Sequence, residues 1–335
     1  MITRFTFRIL QKGQRNKCEL RGLLTSVGLT KNQLVCPLFV KDHREEQRQT
    51  NQTMPDVSVV PLEGTTSQVL ELIELGISSI IIFGVPAERD AVGSSALDHN
   101  GIVQKTVRKL KMEFGNALNI ITDVCLCQYN LSGQCGLFTS QNDLVDNDST
   151  VKALCEVAVT HAQAGADVVS PSSMMDGQVS SIRTSLDDHG YDKIKILSSS
   201  VKHFSSLYSP FRSLAFSKQI GDYKSLDKSS YQVPYTNRRE SVREIENDIR
   251  EGADMVIVKP AIMYLDVISM IKEKFRFPVA AQNVSGEYAM IKSAAANNWI
   301  NEEEWKITSI YAMKRAGADS IISYFCKDIA AILNC

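Results

Sequence analysis

Asp-Val-Cys-Leu-Cys at 123–127, with Cys135 closing Gln-Tyr-Asn-Leu-Ser-Gly-Gln-Cys, brings a carboxylate and three thiols to one end of an apolar, strand-like run. Thiols two residues apart on an extended segment, Cys125 and Cys127, point the same way, and a glycine-containing loop can return Cys135 to them. These would be three ligands of a tetrahedral zinc site with its fourth position open, the arrangement of catalytic rather than structural zinc. Three unrelated cytosolic cysteines, one of them a core residue, would show the same spacing.

Two lysines offer a different chemistry. Lys259 ends the apolar run Met255-Val256-Ile257-Val258 and precedes Pro260, which cannot continue a strand ladder. An amine carried on a buried strand loses hydration, so its pKa falls and the free base can attack a ketone to form a Schiff base. An isolated lysine at a strand end can instead snorkel to solvent. Lys202 ends the neighbouring run, Ser198-Ser199-Ser200-Val201-Lys202, and strands about 4.8 Å apart would let each amine disfavour the other's protonation. Asp123 can balance an ammonium or iminium, or simply cap a turn. Further on, Arg212 opens a long polar stretch through Gly221-Asp222-Tyr223-Lys224 and Asp227-Lys228 to Tyr231-Gln232. A loop of this length, about 212–235, reads as a lid whose Arg and Lys residues suit a carboxylate, or as a solvated basic loop.

Placing these groups requires a scaffold. Eight β-rich apolar runs recur at 34–40, 79–83, 119–126, 167–172, 194–200, 254–259, 278–284 and 320–325, the pattern of strands covered on both faces. Helical patterns separate them; Val151, Leu154, Cys155, Ala158, Val159 and Ala162 form one stripe that ends at Gly165. The junctions Ala164-Gly165-Ala166-Asp167, Glu251-Gly252-Ala253-Asp254 and Ala316-Gly317-Ala318-Asp319 repeat a helix exit followed by a strand. Eight strands with a repeated junction predict an α/β fold, a (β/α)8 barrel of TIM type spanning residues 34–335 as a single domain, with residues 1–33 as an arm outside it. In such a barrel chemistry sits at the carboxyl ends of the strands. The polar residues gather there, including Asp123, Cys125, Cys127, Ser170, Ser172, Lys202, Lys259, Ser285, Ser323 and Tyr324; the amino ends carry only the repeated Asp.

Composition narrows the classes. The 335 residues are 44% hydrophobic and 22% charged with a formal net charge of −1, which describes a folded protein without a field for nucleic acid or an anionic membrane. Eight cysteines are too few for a disulfide scaffold and indicate a reducing compartment. Residues 1–17 lack an apolar run of signal-peptide length and no segment reaches the ~20 apolar residues of a membrane span, so the expected location is the cytoplasm, with an organelle-targeting segment as the alternative. The five histidines form no His-x-His pair, and neither Gly-x-Gly-x-x-Gly nor a P-loop occurs. His161 reads as a surface or groove residue, and Glu244 as part of a solvated helical face.

Seven strings in order resemble the porphobilinogen synthases, also called 5-aminolevulinate dehydratases. They are Cys-Pro-Leu-Phe-Val at 36–40, Phe-Gly-Val-Pro with Asp-Ala-Val-Gly-Ser within 83–95, the cysteine cluster, Ser-Pro-Ser-Ser-Met-Met-Asp-Gly at 170–177, Pro-Phe-Arg at 210–212, Glu-Gly-Ala-Asp-Met-Val-Ile-Val-Lys-Pro-Ala at 251–261 and Val-Ser-Gly-Glu-Tyr-Ala-Met-Ile-Lys at 284–292. The resemblance covers about 34–333. It implies a hydro-lyase of tetrapyrrole and heme biosynthesis that condenses two molecules of 5-aminolevulinate to porphobilinogen with loss of two waters. It implies Schiff bases at Lys202 and Lys259, with Asp123 beside them, and zinc on Cys125, Cys127 and Cys135. Arg212 and Gln232 match lid residues, and Ser285 and Tyr324 match residues for a substrate carboxylate. The resemblance also places Glu244 at an allosteric magnesium ligand and implies a homo-octamer in which the N-terminal arm wraps a neighbouring barrel. The lid departs from the family pattern: an insertion intervenes and Lys228 or Lys224 stands where a second arginine is usual. Gln282-Asn283 and the positions around Ser132 and Gln134 also differ. Another Schiff-base barrel of the class I aldolase type, which needs no zinc, and a non-catalytic paralogue serving as a binding or scaffold subunit are the alternatives.

Overall fold

The Val/Ile/Leu runs are strands, and each pairs in parallel with the next in sequence. They are β1 (Leu34–Lys41), β2 (Ser79–Val85), β3 (Asn119–Val124), β4 (Val168–Pro171), β5 (Lys195–Lys202), β6 (Met255–Lys259), β7 (Val279–Gln282) and β8 (Ser320–Ile322). β8 returns to β1, with Leu34 opposite Ile321 and Val35 opposite Ile322, so the sheet closes into a (β/α)8 barrel. This computed structural model describes residues 27–42, 49–139, 144–215 and 227–333. Most of the expected arm, 1–26, and the middle of the expected lid, 216–226 with Lys224, lie outside the described residues. Among the described residues no helix is long and apolar enough to cross a membrane.

The order of strands is as expected, and the differences are local. A hairpin, Gln49–Asn51 with Met54–Pro61, adds to the sheet beside β1, where Phe39 pairs with Val59. It is short and follows a polar stretch, so its periodicity is weak. β5 reaches Lys202 rather than stopping at Ser200, because it carries one extra residue against β6. Val256 faces Ser198 while Val258 faces Val201, and this bulge brings Lys202 into register with Lys259. Without it Lys259 would face Val201, and the two amines would lie on opposite faces of the sheet.

The repeated junction also has a physical explanation. Gly165, Gly252 and Gly317 sit at φ of 104°, 99° and 112°, a helix exit that side chains oppose. The aspartate two residues later then satisfies a backbone donor of the preceding strand. Asp167 accepts from Ile120 N at 2.7 Å, Asp254 from Ile196 N at 2.9 Å and Asp319 from Val279 N at 2.7 Å. Each is also paired with a lysine, Lys111, Lys195 and Lys272 respectively. The amino rim of the barrel is thus stapled by three equivalent carboxylates. Inside it a continuous core joins β1, β2, β6, β7 and β8, while a second cluster packs Val124 and Leu126 against the helices Asn147–Ala164 and Gln178–Asp188. Asp319→Ala should lower stability by about 1–3 kcal/mol by orphaning the Val279 amide, as read from the urea midpoint; an unchanged midpoint would show that the staple is replaced by water.

Candidate active site

The strand order places Asp123, Lys202 and Lys259 at the carboxyl ends of β3, β5 and β6, and all three line one pocket. The Lys202 ammonium donates to Ser172 O at 2.5 Å and lies 3.5 Å from Cys135 Sγ. Ser172 in turn donates its hydroxyl to Asp123 Oδ1 at 2.7 Å, and Gln128 Nε2 donates to Oδ2 at 3.4 Å. Ser172 therefore joins carboxylate and ammonium through two different atoms. Its place at a strand end was legible in the sequence; this bridging was not.

The two amines differ although they face each other. Burial, and secondly the positive charge of Lys202, pull Lys259 down to about 8. The expectation that both amines would be lowered holds for Lys259 only. Burial pulls Lys202 down too, but Cys135, Cys125 and Cys127 outweigh it and hold it above the ordinary lysine value. Asp123 is raised by burial, with Lys259 opposing. One amine is thus poised to lose its proton while its neighbour keeps one.

Cys125, Cys127 and Cys135 are buried and free, with sulfurs all within 4.8 Å of one another. Thiolates bound tetrahedrally at about 2.3 Å would stand about 3.8 Å apart, so a small contraction around a metal suffices. Hydrogen bonds from Cys125 and then Cys127 push the Cys135 thiol well down, with Lys202 and Lys228 helping against burial. Cys125 is drawn down by Cys127, yet Cys135 and burial leave it pushed up to about 11. The cluster holds one stabilised thiolate and two thiols ready to donate, a donor set that fits a thiophilic metal.

Described residues of the expected lid also reach this centre. Lys228 Nζ donates to Gly133 O at 2.8 Å and lies 3.6 Å from Cys135 Sγ. Tyr231 accepts from Cys135 N at 3.2 Å and donates to Gln134 Oε1 at 2.7 Å. The pocket wall also includes Arg212, Gln232, Ser285 and Tyr324. Ser285 has its hydroxyl engaged, accepting from Phe211 N and donating to Leu207 O, both at 3.0 Å, so it anchors the turn that presents Arg212. Gly286 lets that turn approach: a Cβ there would meet Leu207 Cα at 2.5 Å. Gln232 Oε1 and Gln282 Oε1 are buried acceptors with no partner among the described residues, which suits a ligand with N–H donors. Tyr208, Tyr231, Gln128 and Gln282 were given no role in the sequence reading, since long-range neighbours alone define them.

Glu244 stands apart, on the helix Arg238–Arg250 and away from the pocket wall. It is half-buried rather than solvated; burial, then Asp248 and Asp176, push it up to about 7. His161 is likewise not a surface residue. It is buried, and desolvation lowers it to about 3.

Comparison with known proteins agrees with this geometry. Residues 9–332 match the family described as delta-aminolevulinic acid dehydratase. The chain belongs to the delta-aminolevulinic acid dehydratase family. A delta-aminolevulinic acid dehydratase of Archaeoglobus fulgidus is 46% identical over 318 residues, covering 95% of this chain and 96% of that protein. One from Halalkalibacterium halodurans is 43% identical over 320 residues, covering 96% and 95%. Among solved structures, the delta-aminolevulinic acid dehydratase (porphobilinogen synthase) of Toxoplasma gondii in complex with its reaction product porphobilinogen superposes with a TM-score of 0.92 at 37% identity, covering 96% of this chain and 90% of that one. Cys135→Ser should weaken retention of a divalent metal by more than about tenfold, measured as metal per chain after dialysis; equal retention would remove the three thiols as a metal site.

Proposed function

We propose that this member of the family is a porphobilinogen synthase whose covalent chemistry runs through Lys259 and Lys202. The observation that carries the reading is their register: two buried amines opposite one another at the mouth of the barrel, one pushed down to about 8. The porphobilinogen held by the Toxoplasma relative is the product expected of such a pair acting on two keto acids.

At neutral pH roughly a tenth of an amine with a pKa near 8 is free base, against roughly one part in three thousand at the ordinary lysine value. Lys259 thus has the nucleophile that imine formation needs. Its nitrogen bonds to the ketone carbon of 5-aminolevulinate, the carbonyl oxygen leaves as water with one proton from the amine and one from solvent, and the iminium is stabilised by the Asp123 carboxylate. Lys202 takes the second substrate. Its proton is retained by the thiol cluster, so neutralising the thiolate charge favours its release. Asp123, tied to Lys202 through Ser172, can hold the proton that moves between them. Arg212 and Lys228, as cations on the pocket wall, suit one substrate carboxylate, with Tyr324 and the turn anchored by Ser285 suiting the other. Gln232 and Gln282 offer their unpartnered oxygens to the substrate's amino group.

Three buried thiols that leave a fourth position open favour zinc among common ions, and when bound it would act as a Lewis acid on the second substrate's carbonyl oxygen. Cys125, Cys127 and Cys135 would hold it. Glu244, raised to about 7 by burial and then by Asp248 and Asp176, is assigned to a regulatory magnesium on the family resemblance. The family resemblance assigns residues 1–33 to an arm that packs on a neighbouring barrel in a homo-octamer. The reduced cysteines that the site needs suit a reducing compartment such as the cytoplasm.

Borohydride with 5-aminolevulinate should fix substrate to Lys259, and Lys259→Ala should abolish the adduct and reduce pyrrole formation by at least about a thousandfold. An adduct mapped elsewhere would sink the assignment. Because the free base is the reactive form, trapping should slow about tenfold per pH unit below about 8 and level off above it. A profile flat from pH 6 to 9 would show that Lys259 is not the group that titrates.

A further inference from the structure

Outside the pocket, two more thiols meet. Cys36 lies on β1 and Cys326 opens the helix Cys326–Ile332, which packs on that strand. Cys326 Sγ donates to Val35 O at 3.2 Å, one residue from Cys36. Cys36 Sγ faces Pro37 O at 3.8 Å and is within interaction range of the Cys326 thiol. Cys326 is fully buried, whereas Cys36 is partly exposed and lines a cleft beside the barrel, so one sulfur is open to reagents and the other waits behind it. Such a couple, accessible and resolving, is the arrangement that thiol–disulfide exchange requires.

The wall between this cleft and the pocket with the two lysines is Tyr324, which lines both. It precedes Cys326 by two residues. Its ring stacks on Phe39 of β1 at 6.3 Å and meets Tyr288 edge-on at 5.7 Å, while Phe325 packs on Tyr288 at 4.5 Å. Drawing Cys326 toward β1 must therefore move or pin the turn that carries Tyr324.

We propose that Cys36 and Cys326 form an oxidisable dithiol whose closure to a disulfide resets Tyr324 and weakens substrate binding. The oxidant is a low-molecular-weight disulfide such as oxidised glutathione. The Cys36 thiolate attacks one of its sulfurs, forming a mixed disulfide and releasing one glutathione thiolate. Cys326 then attacks the Cys36 sulfur and expels the second glutathione, its proton passing to the departing glutathione sulfur. Two protein thiols are oxidised by two electrons, one disulfide is reduced to two thiols, and the two protons end on glutathione. The sulfur chemistry stands on its own; the kinetic consequence rests on the porphobilinogen synthase reading.

The test uses the full chain loaded with metal and treated with oxidised glutathione, followed by alkylation and peptide mapping. A Cys36–Cys326 bridge should appear with metal content unchanged, and KM for 5-aminolevulinate should rise by about threefold or more with kcat nearly constant. Dithiothreitol should reverse both changes, and Cys36→Ser and Cys326→Ser should each keep the reduced enzyme's kinetics throughout. Separate alkylation of the two cysteines, a mixed disulfide that persists on Cys36, or a bridge without a change in KM would overturn the proposal. If the reduced enzyme makes no pyrrole, the preceding reading fails. The dithiol is then decided by the bridge and by nitration of Tyr324, whose rate must differ between reduced and bridged forms.

Discussion

Two lysines held in register in a buried strand pair are the constraint on which the rest of the structure depends. Unpaired buried ammonium groups are costly, and two facing each other repel in a medium that screens poorly. The surroundings resolve this by treating identical amines differently. Lys202 has a carbonyl, the thiol cluster and, through Ser172, a carboxylate; these groups sustain its charge. Lys259 faces that charge, and burial together with it moves the amine toward the neutral form. The positive charge beside it is part of what makes Lys259 a nucleophile.

The barrel separates this arrangement from the groups that hold the fold together. At the amino rim, Asp167, Asp254 and Asp319 repeat one device, a carboxylate that closes a strand's free amide and pairs with a lysine. These pairs are partly exposed, so their worth lies in satisfying the amide more than in the ion pair itself. At the carboxyl rim the polar groups serve one another. The buried Glu287 belongs to this second set: it accepts from Val284 N at 2.7 Å and Ile262 N at 2.8 Å, tying the turn after Lys259 to the helix that starts with Ser285. Burial pushes it up to about 7, a cost offset by those backbone bonds.

How much of this could be read beforehand follows from the range of the interactions. The eight strands were legible because β1 to β8 are mostly apolar and covered on both faces, and Gly165, Gly252 and Gly317 mark three of the places where a helix gives way to a strand. The cysteine triplet was legible from local spacing and the lysines from their places at strand ends. The bulge in β5 was not, since Ser198-Ser199-Ser200 carries no signal for an extra residue, although it decides that Lys202 faces Lys259 rather than the far side of the sheet. Nor was the opposite behaviour of the two amines, which depends on Cys135 lying 67 residues from Lys202 in sequence. Glu244 and His161 were misjudged for a related reason: a polar residue on a helix says nothing about what packs over it.

The lid shows how a substitution in a loop alters a distant centre. The family resemblance puts Lys228 where an arginine is usual, and a guanidinium would present a planar fork suited to a carboxylate. An ammonium on a flexible stem is a point charge that can settle wherever oxygen or sulfur is nearest. Here it reaches Gly133 O and approaches Cys135, while Tyr231, three residues on, grips the same loop through Cys135 N and Gln134. The far end of the lid is therefore fastened to the thiol loop rather than to the lysines. Lys228 and Tyr231 thus couple the position of this segment to that of Cys135.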